Sequence, residues 1–285
     1  MGRPTYKSVG ILMIATNEYI ERWKSIAEDL ERNAFKEIDV VTIHLFTNEI
    51  SSAQDFASKH LKRIKISIHQ IQGWGWPEAT LFRYKFFTEN IDSIQEEFLV
   101  YLDSDMRVTG DFGNVTNQLI EGDGIGVVSH PGYYRLNLRK RFKQYITSPR
   151  IAISDLKVGL RNSWNLGAWE TNKLSQAYVP RSLRTNYVHG AIWFAHHNEF
   201  FDMCESLASA TEVDFKKGYI AKWHDESHLN CYITKNPHKI FDNRLSFVYG
   251  YPQIERFSEN YLISNVEKKP WRRKRPFQCL IYFLG

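Results

Sequence analysis

The strongest constraint on this chain is a rhythm in its first 130 residues, where runs of branched aliphatic residues alternate with helix-length amphipathic stretches. VGILMIAT (9–16) precedes ERWKSIAEDLERNAF (21–35), and DVVTIHLFT (39–47) follows. The residues 76–94 predict a helix, EEFLVYLDSDM (96–106) a buried strand ending in acid, and Asp123–Ser129 a further strand. Strand, helix, strand in this order predicts an α/β fold with a central, mostly parallel sheet. Ligands of such sheets sit beyond the C-terminal ends of the strands.

From Pro131 to Pro180 the pattern becomes irregular, mixing Trp, Tyr, Arg and Asn, and it predicts a long excursion with some helix inside it; loops of this length tend to be functional. No repeat, Pro/Ser-rich linker or low-complexity tract divides the chain, so residues 1–285 are expected to act as one catalytic unit. With 43% hydrophobic and 14% aromatic residues the chain can bury a sizeable core, which excludes a disordered or fibrous protein. Its 37 basic against 32 acidic residues leave a net charge of +5, too little for a general nucleic-acid field.

The positive excess is local, in LRKRFK (138–143) and KKPWRRKR (268–275), each either a solvated surface or a place for anion capture. Three cysteines, Cys204, Cys231 and Cys279, without CxxC spacing argue against a disulfide framework or structural zinc and for a reducing, cytoplasmic location. The apolar run Val9–Ala15 is far below the roughly 20 residues a membrane helix needs, so no transmembrane segment or signal peptide is expected. The apolar end FQCLIYFLG, after the basic run, suits a peripheral membrane contact at most; a buried strand is the plainer reading.

Two motifs carry chemistry. Phe98–Leu102 runs directly into Asp103-Ser104-Asp105, and in an extended segment residues i and i+2 point the same way, so both carboxylates can converge on a hard cation. Two carboxylates leave room for water and a diphosphate around Mn²⁺, with Mg²⁺ as the alternative. Asp-Ser-Asp also favours turns and caps, which is the structural alternative. The second motif, Trp223-His224-Asp225-Glu226-Ser227-His228-Leu229-Asn230, holds two histidines and two carboxylates, but not in the HExxH order of a zinc hydrolase. A carboxylate here could act as nucleophile or stabilise an oxocarbenium-like centre, and Glu226 is the candidate. The plain alternative is a charged helix start with Asp225 as N-cap and His228 paired to a carboxylate.

WHDESHLN resembles, nearly letter for letter, the signature of glycosyltransferase family 6, and further blocks fall in that family's order across roughly residues 9–255. These are IATNEY (14–19), HLFTNE (44–49), the helix with Trp76 and Arg83, YLDSDM (101–106), HPG (130–132), QAYVP (176–180) and YVHGA (187–191). The resemblance implies a GT-A fold, a UDP-galactose or UDP-N-acetylgalactosamine donor, Mn²⁺, retention of anomeric configuration, and an α-1,3 linkage to a galactose-like glycan acceptor. It implies that Ile14, Ala15 and Tyr19 pack on the nucleoside, that Arg83 and Asp225 contact the donor, and that Asp103 and Asp105 hold the metal. His189, Gly190 and Ala191 match the stretch that discriminates between donor sugars, and here they lean towards galactose. His130 and Trp223 would line the acceptor, Glu226 would be the catalytic carboxylate also touching the acceptor, and Lys268 and Arg272 of the tail 266–285 would close over the pyrophosphate.

The stretch from His130 to the YVP block is longer than the family's and includes LRKRFK and RNSWNLGAW, so an acceptor unlike a blood-group glycan is expected. Two further readings stay open on sequence: a carbohydrate- or nucleotide-binding protein with little turnover, and a metal-dependent phosphohydrolase using Asp103, Asp105, His224 and His228.

Overall fold

The computed structural model describes residues 6–73, 78–133, 138–150, 152–153, 156–157, 167–241, 243–248 and 261–265. Trp76, Lys268 and Arg272, with the whole basic and apolar tail, therefore lie outside the described residues.

Strands and helices follow the predicted rhythm: β1 (Ser8–Ile14), α1 (Tyr19–Asn33), β2 (Val40–Thr47), α2 (Ile50–His60) and β3 (Lys65–Gln70). After them come α3 (Glu78–Leu81), α4 (Arg83–Thr88), β4 (Phe98–Leu102), β5 (Met106–Val108), α5 (Gly113–Thr116), β6 (Ile125–Ser129) and α6 (Leu138–Thr147). The C-terminal part supplies β7 (Val188–His196), α7 (His197–Lys216), α8 (His224–Ile233), β8 (His238–Phe241) and β9 (Ile263–Asn265).

Seven strands form the central sheet in the order β3-β2-β1-β4-β7-β6-β8, and β5 pairs with β9 in a separate ribbon. β1, β2, β3 and β4 run parallel, as do β6 and β8. β7 alone runs against its neighbours β4 and β6. The sheet is covered on both faces, which explains the unbroken apolar strands. On β1, Val9, Ile11 and Met13 join one core with Trp23, Ile26 and Phe56 of α1 and α2, while Leu12 faces a second core with Tyr84, Phe87, Trp193 and Phe200.

The direction of β7 positions the site. Leu102 pairs with Ile192, so the N-terminal residues of β7 lie beside the C-terminal end of β4, and the Asp103 N–H donates to the Ala191 carbonyl at 2.9 Å. Asp103 and Ala191, 88 positions apart, thus meet at the C-terminal end of β4.

Two local expectations are corrected. The helix predicted over 76–94 is broken: α3 ends at Leu81, Phe82 sits at φ −99° and ψ 11°, and α4 restarts at Arg83. Burial of Arg83, Tyr84, Phe86 and Phe87 together overrides continuous helix propensity. The strand predicted to extend through the aspartates stops at Leu102, and residues 103–106 make a turn in which the Met106 N–H reaches the Asp103 carbonyl at 3.3 Å. Turn chemistry wins over strand continuation, and Ser104 is buried within it.

Candidate active site

A cleft of about 380 Å³ opens at the C-terminal ends of β1 and β4, within the range of small-molecule sites. Ile14, Thr16, Asn17, Tyr19, Arg83 and Tyr101 line it together with Asp103, Ser104 and Asp105. Its wall turns sharply at Asn17, whose φ of +52° is tolerated by asparagine better than by most side chains. The Asn17 N–H donates to Asn48 Oδ1 at 2.9 Å, tying the ends of β1 and β2 together. Ala15 lies in the core instead of on this wall, and its carbonyl takes the Thr47 hydroxyl at 2.6 Å.

Both aspartates of the turn face the cleft, with Asp103 31% and Asp105 20% exposed. Asp105 pairs with Arg22 at 3.2 Å, a contact in which Arg22 is 40% exposed and which stabilises little. Asp103 takes the Tyr101 hydroxyl and lies 3.5 Å from Arg83.

Arg83 is the hub. It is almost wholly buried, 3.2 Å from Asp225, stacked 4.4 Å over the Tyr101 ring, and its Nη1 donates to the Gly190 carbonyl at 3.2 Å. A buried guanidinium with two carboxylates and a carbonyl around it is compensated; without them it would be prohibitive. The three elements α4, β7 and α8 are fixed to one another through this side chain.

The Trp223–Asn230 segment begins α8, and its capping differs from the sequence expectation. Trp223 is the cap residue, its N–H bound by Ser227 Oγ at 3.0 Å, and Asp225 sits in the first turn aimed at Arg83 instead of capping. Trp223 itself is exposed. His224 adopts φ +44°, whereas His228 is buried with Nε2 3.6 Å from Asp214, so the two histidines serve different surroundings and do not form a zinc pair.

Glu226 receives the Gly190 N–H at 2.8 Å and lies against the Tyr187 phenol. Burial pushes its carboxyl up to about 7, partly offset by the Gly190 N–H and Tyr187. Asp225 is likewise raised by burial to about 6, with Arg83 opposing the shift. A Cβ on Gly190 would meet Glu226 Cβ at 3.0 Å and Oε2 at 3.3 Å, so the absent side chain is what lets this carboxylate approach the strand. Ala191 is buried in the core beside it.

His130, His189 and Glu226 bring one potential ligand atom each within 4.8 Å of one another. The hydrogen bonding favours a polar cluster over a metal centre. His130 Nδ1 accepts the Gly132 N–H at 3.0 Å, which puts the proton of the neutral ring on Nε2, where it donates instead of ligating. His189 Nδ1 contacts Ser246 Oγ at 2.5 Å, and burial holds both rings neutral, His189 down to about 4.

Asp103 and Asp105 offer the better cation site: two partly exposed carboxylates on one cleft wall are hard oxygen donors suited to Mn²⁺ or Mg²⁺. Thr16, Asn48, Arg22, Tyr187 and Ser246 are part of this constellation without having been singled out from sequence. An asparagine just after a buried strand was the one available signal, at Asn17. Ser246 carries no local signal.

A mostly parallel sheet with an acidic turn at the end of a central strand, and a second carboxylate pair on a neighbouring helix, defines the architecture of a GT-A-like glycosyltransferase. The sequence profile of glycosyltransferase family 6 matches residues 161–259. The O-antigen biosynthesis glycosyltransferase WbnI of Escherichia coli is 25% identical over 268 residues, covering 92% of this chain and 97% of that protein. The histo-blood group ABO system transferase 1 of Rattus norvegicus is 24% identical over 258 residues, and the globoside alpha-1,3-N-acetylgalactosaminyltransferase 1 of Mus musculus 22% over 248. The chain spans 64% and 61% of these two relatives. Over these stretches the chain is similar to glycosyltransferase family 6, and it is a hexosyltransferase. Among the described residues no helix is long and apolar enough to cross a membrane.

Proposed function

We propose that this chain, acting as one catalytic unit, transfers galactose or N-acetylgalactosamine from a UDP-sugar to a glycan, with retention and through an α-1,3 linkage to a galactose-like residue. The observation that carries the reading is the Arg83 bridge: one buried cation contacts both the acidic turn of the cleft and Asp225, the neighbour of Glu226. This arrangement suits a substrate whose diphosphate lies along the cleft and whose sugar reaches α8.

Asp103 and Asp105 are the residues that would hold Mn²⁺ or Mg²⁺, which when bound would neutralise charge on a leaving diphosphate. Ile14 and Tyr19 offer apolar surface to a nucleoside in the same cleft. Asp225, oriented by Arg83, is suited to hold sugar hydroxyls, and Arg83 keeps a positive charge close to the bond that breaks. Glu226 is held by the Gly190 N–H and, when ionised, supplies negative charge to an electron-poor anomeric carbon. His130 and Trp223 are assigned to the acceptor side, and Lys268 and Arg272 to the closing tail.

The test is UDP release from UDP-galactose, UDP-N-acetylgalactosamine, UDP-glucose and UDP-N-acetylglucosamine, each with and without Mn²⁺ and a mixture of galactosides. Turnover of a galactose-type donor, dependent on Mn²⁺ and raised by galactosides, is expected. Tight UDP binding without turnover of any donor would overturn the reading in favour of a binding protein.

A further inference from the structure

We propose that Asn230 is a positioning residue of the transfer site: it fixes the register of α8 on β7, and that register sets the Glu226 carboxylate on the Gly190 N–H. The proposal rests on the reading that Glu226 acts in transfer. Asn230 is 1% exposed, a depth at which an amide side chain is kept only when its hydrogen bonds are made. Its Nδ2 donates to the Val188 carbonyl at 3.0 Å and to the Glu226 carbonyl at 2.9 Å, and its Oδ1 accepts the Val188 N–H at 2.9 Å. Both amide hydrogens are thereby used. Turning the amide over would face its oxygen to two carbonyls and its NH2 to an N–H, so these partners fix its orientation.

Val188 makes with Asn230 the pair of bonds it would make with a neighbouring strand. β4 ends at Leu102 opposite Ile192, and Val188, the first residue of β7, lies beyond that end. Two residues along β7, the Gly190 N–H meets Glu226 Oε2 at 2.8 Å. Helix and strand therefore touch at two points, Asn230 on Val188 and Glu226 on Gly190, and the spacings match: four residues of helix rise about 6 Å and two residues of strand about 6.6 Å. Residues four apart share one face of a helix, so both points lie on the side of α8 turned to β7. One attachment would let the helix pivot; two define where Glu226 stands. Aspartate at position 230 would keep the shape but lose both donors and set a negative charge against the carbonyls of Val188 and Glu226.

The experiment is a double-mutant cycle on the full chain with Mn²⁺, a mixture of galactosides, and UDP-galactose or UDP-N-acetylgalactosamine as donor. Asn230→Ala should lower kcat about 10- to 100-fold and leave donor affinity within a few-fold, because the cleft at β1 and β4 is untouched. In a Glu226→Gln background the same change should alter kcat less than about twofold. A loss there as large as in the wild type would mean that Asn230 serves the fold alone, and overturns the proposal. A second readout does not depend on turnover. The amide proton of Gly190 in isotope-labelled protein, held downfield by its bond to a carboxylate, should move upfield in both Glu226→Gln and Asn230→Ala. A Gly190 resonance unmoved by Asn230→Ala also overturns the proposal. Full rate in Glu226→Gln, with the resonance still displaced by Asn230→Ala, would remove the role of Glu226 in transfer and leave Asn230 as the residue that places it. Asn230→Ser, which admits water to Val188, takes the place of Asn230→Ala throughout if the latter does not fold.

Discussion

The molecule carries two pairs of acidic residues at one sheet edge, and they differ in nearly everything except their chemistry. Asp103 and Asp105 sit on a turn at a cleft wall, partly open to water, with Arg22 and Arg83 at 3.2 and 3.5 Å. Asp225 and Glu226 occupy the first turn of α8, Asp225 buried and Glu226 half-buried, and desolvation raises them to about 6 and about 7. An open pair stays ready for a cation at little desolvation cost. A desolvated pair is held in an unfavourable ionised state, where its charge acts at higher strength. Environment, not residue type, divides the work between them, and Arg83 is the one group shared by both.

Removing the shared group should have the largest effect. Arg83→Ala leaves Asp225 buried without its cation and should cost about 3–5 kcal/mol in denaturant unfolding, along with transfer activity. If the loss were below 1 kcal/mol, the two pairs would not be joined through this side chain. Next, Glu226→Gln should lower kcat by about 100- to 1000-fold while leaving UDP-sugar affinity within a few-fold, the pattern of a group acting in the transition state. Asp105→Asn addresses the other pair: it should remove stimulation of turnover by Mn²⁺, a loss of about 10- to 100-fold, and weaken UDP binding only when the metal is present.

The pH dependence separates stability from activity. Asp225 and Glu226 bind protons more tightly in the folded chain than in the unfolded one, so their contribution to stability is present below about pH 4 and is lost as pH rises through about 6 and 7. Activity should run the opposite way, rising with ionisation of Glu226 near pH 7. Unfolding measured from pH 5 to pH 8 should show Glu226→Gln losing less stability than the wild type, by about 1–3 kcal/mol. A parallel pH profile for both proteins would contradict the buried, raised carboxyl. The smallest effect is expected of Gly190→Ala, whose added methyl presses on Glu226 and should reduce kcat a few-fold with donor affinity nearly unchanged.

Those differences also mark what the sequence could convey. β1, β2, β4 and β6 were legible because strands covered on both faces are apolar throughout, a signal local to each segment. The break at Phe82 was not, since it answers to burial of Arg83 against groups more than 100 residues away. The turn at Asp103 is legible as well, because Asp-Ser-Asp at a strand end favours one. Asp225 and Glu226 stood out as a dense run of ionisable residues, yet their pairing with Arg83 and Gly190 depends on β7 running backwards, which no periodicity encodes. Thr16 and Ser246 belong to the site through position alone.

That reversed strand also fixes the order in which the molecule can be finished. β7 lies between β4 and β6, whose own segments leave the ribosome earlier, so the sheet has an unfilled slot until residue 196 has been made. Until then β4 exposes an open edge able to pair wrongly with other chains, and Gly190 gains its Glu226 partner only once the chain has passed residue 226. The Asp225–Glu226 part of the proposed site is consequently among the last parts of the protein to exist: a nascent or truncated chain can hold β1–β4 and the cleft residues and be without these two carboxylates.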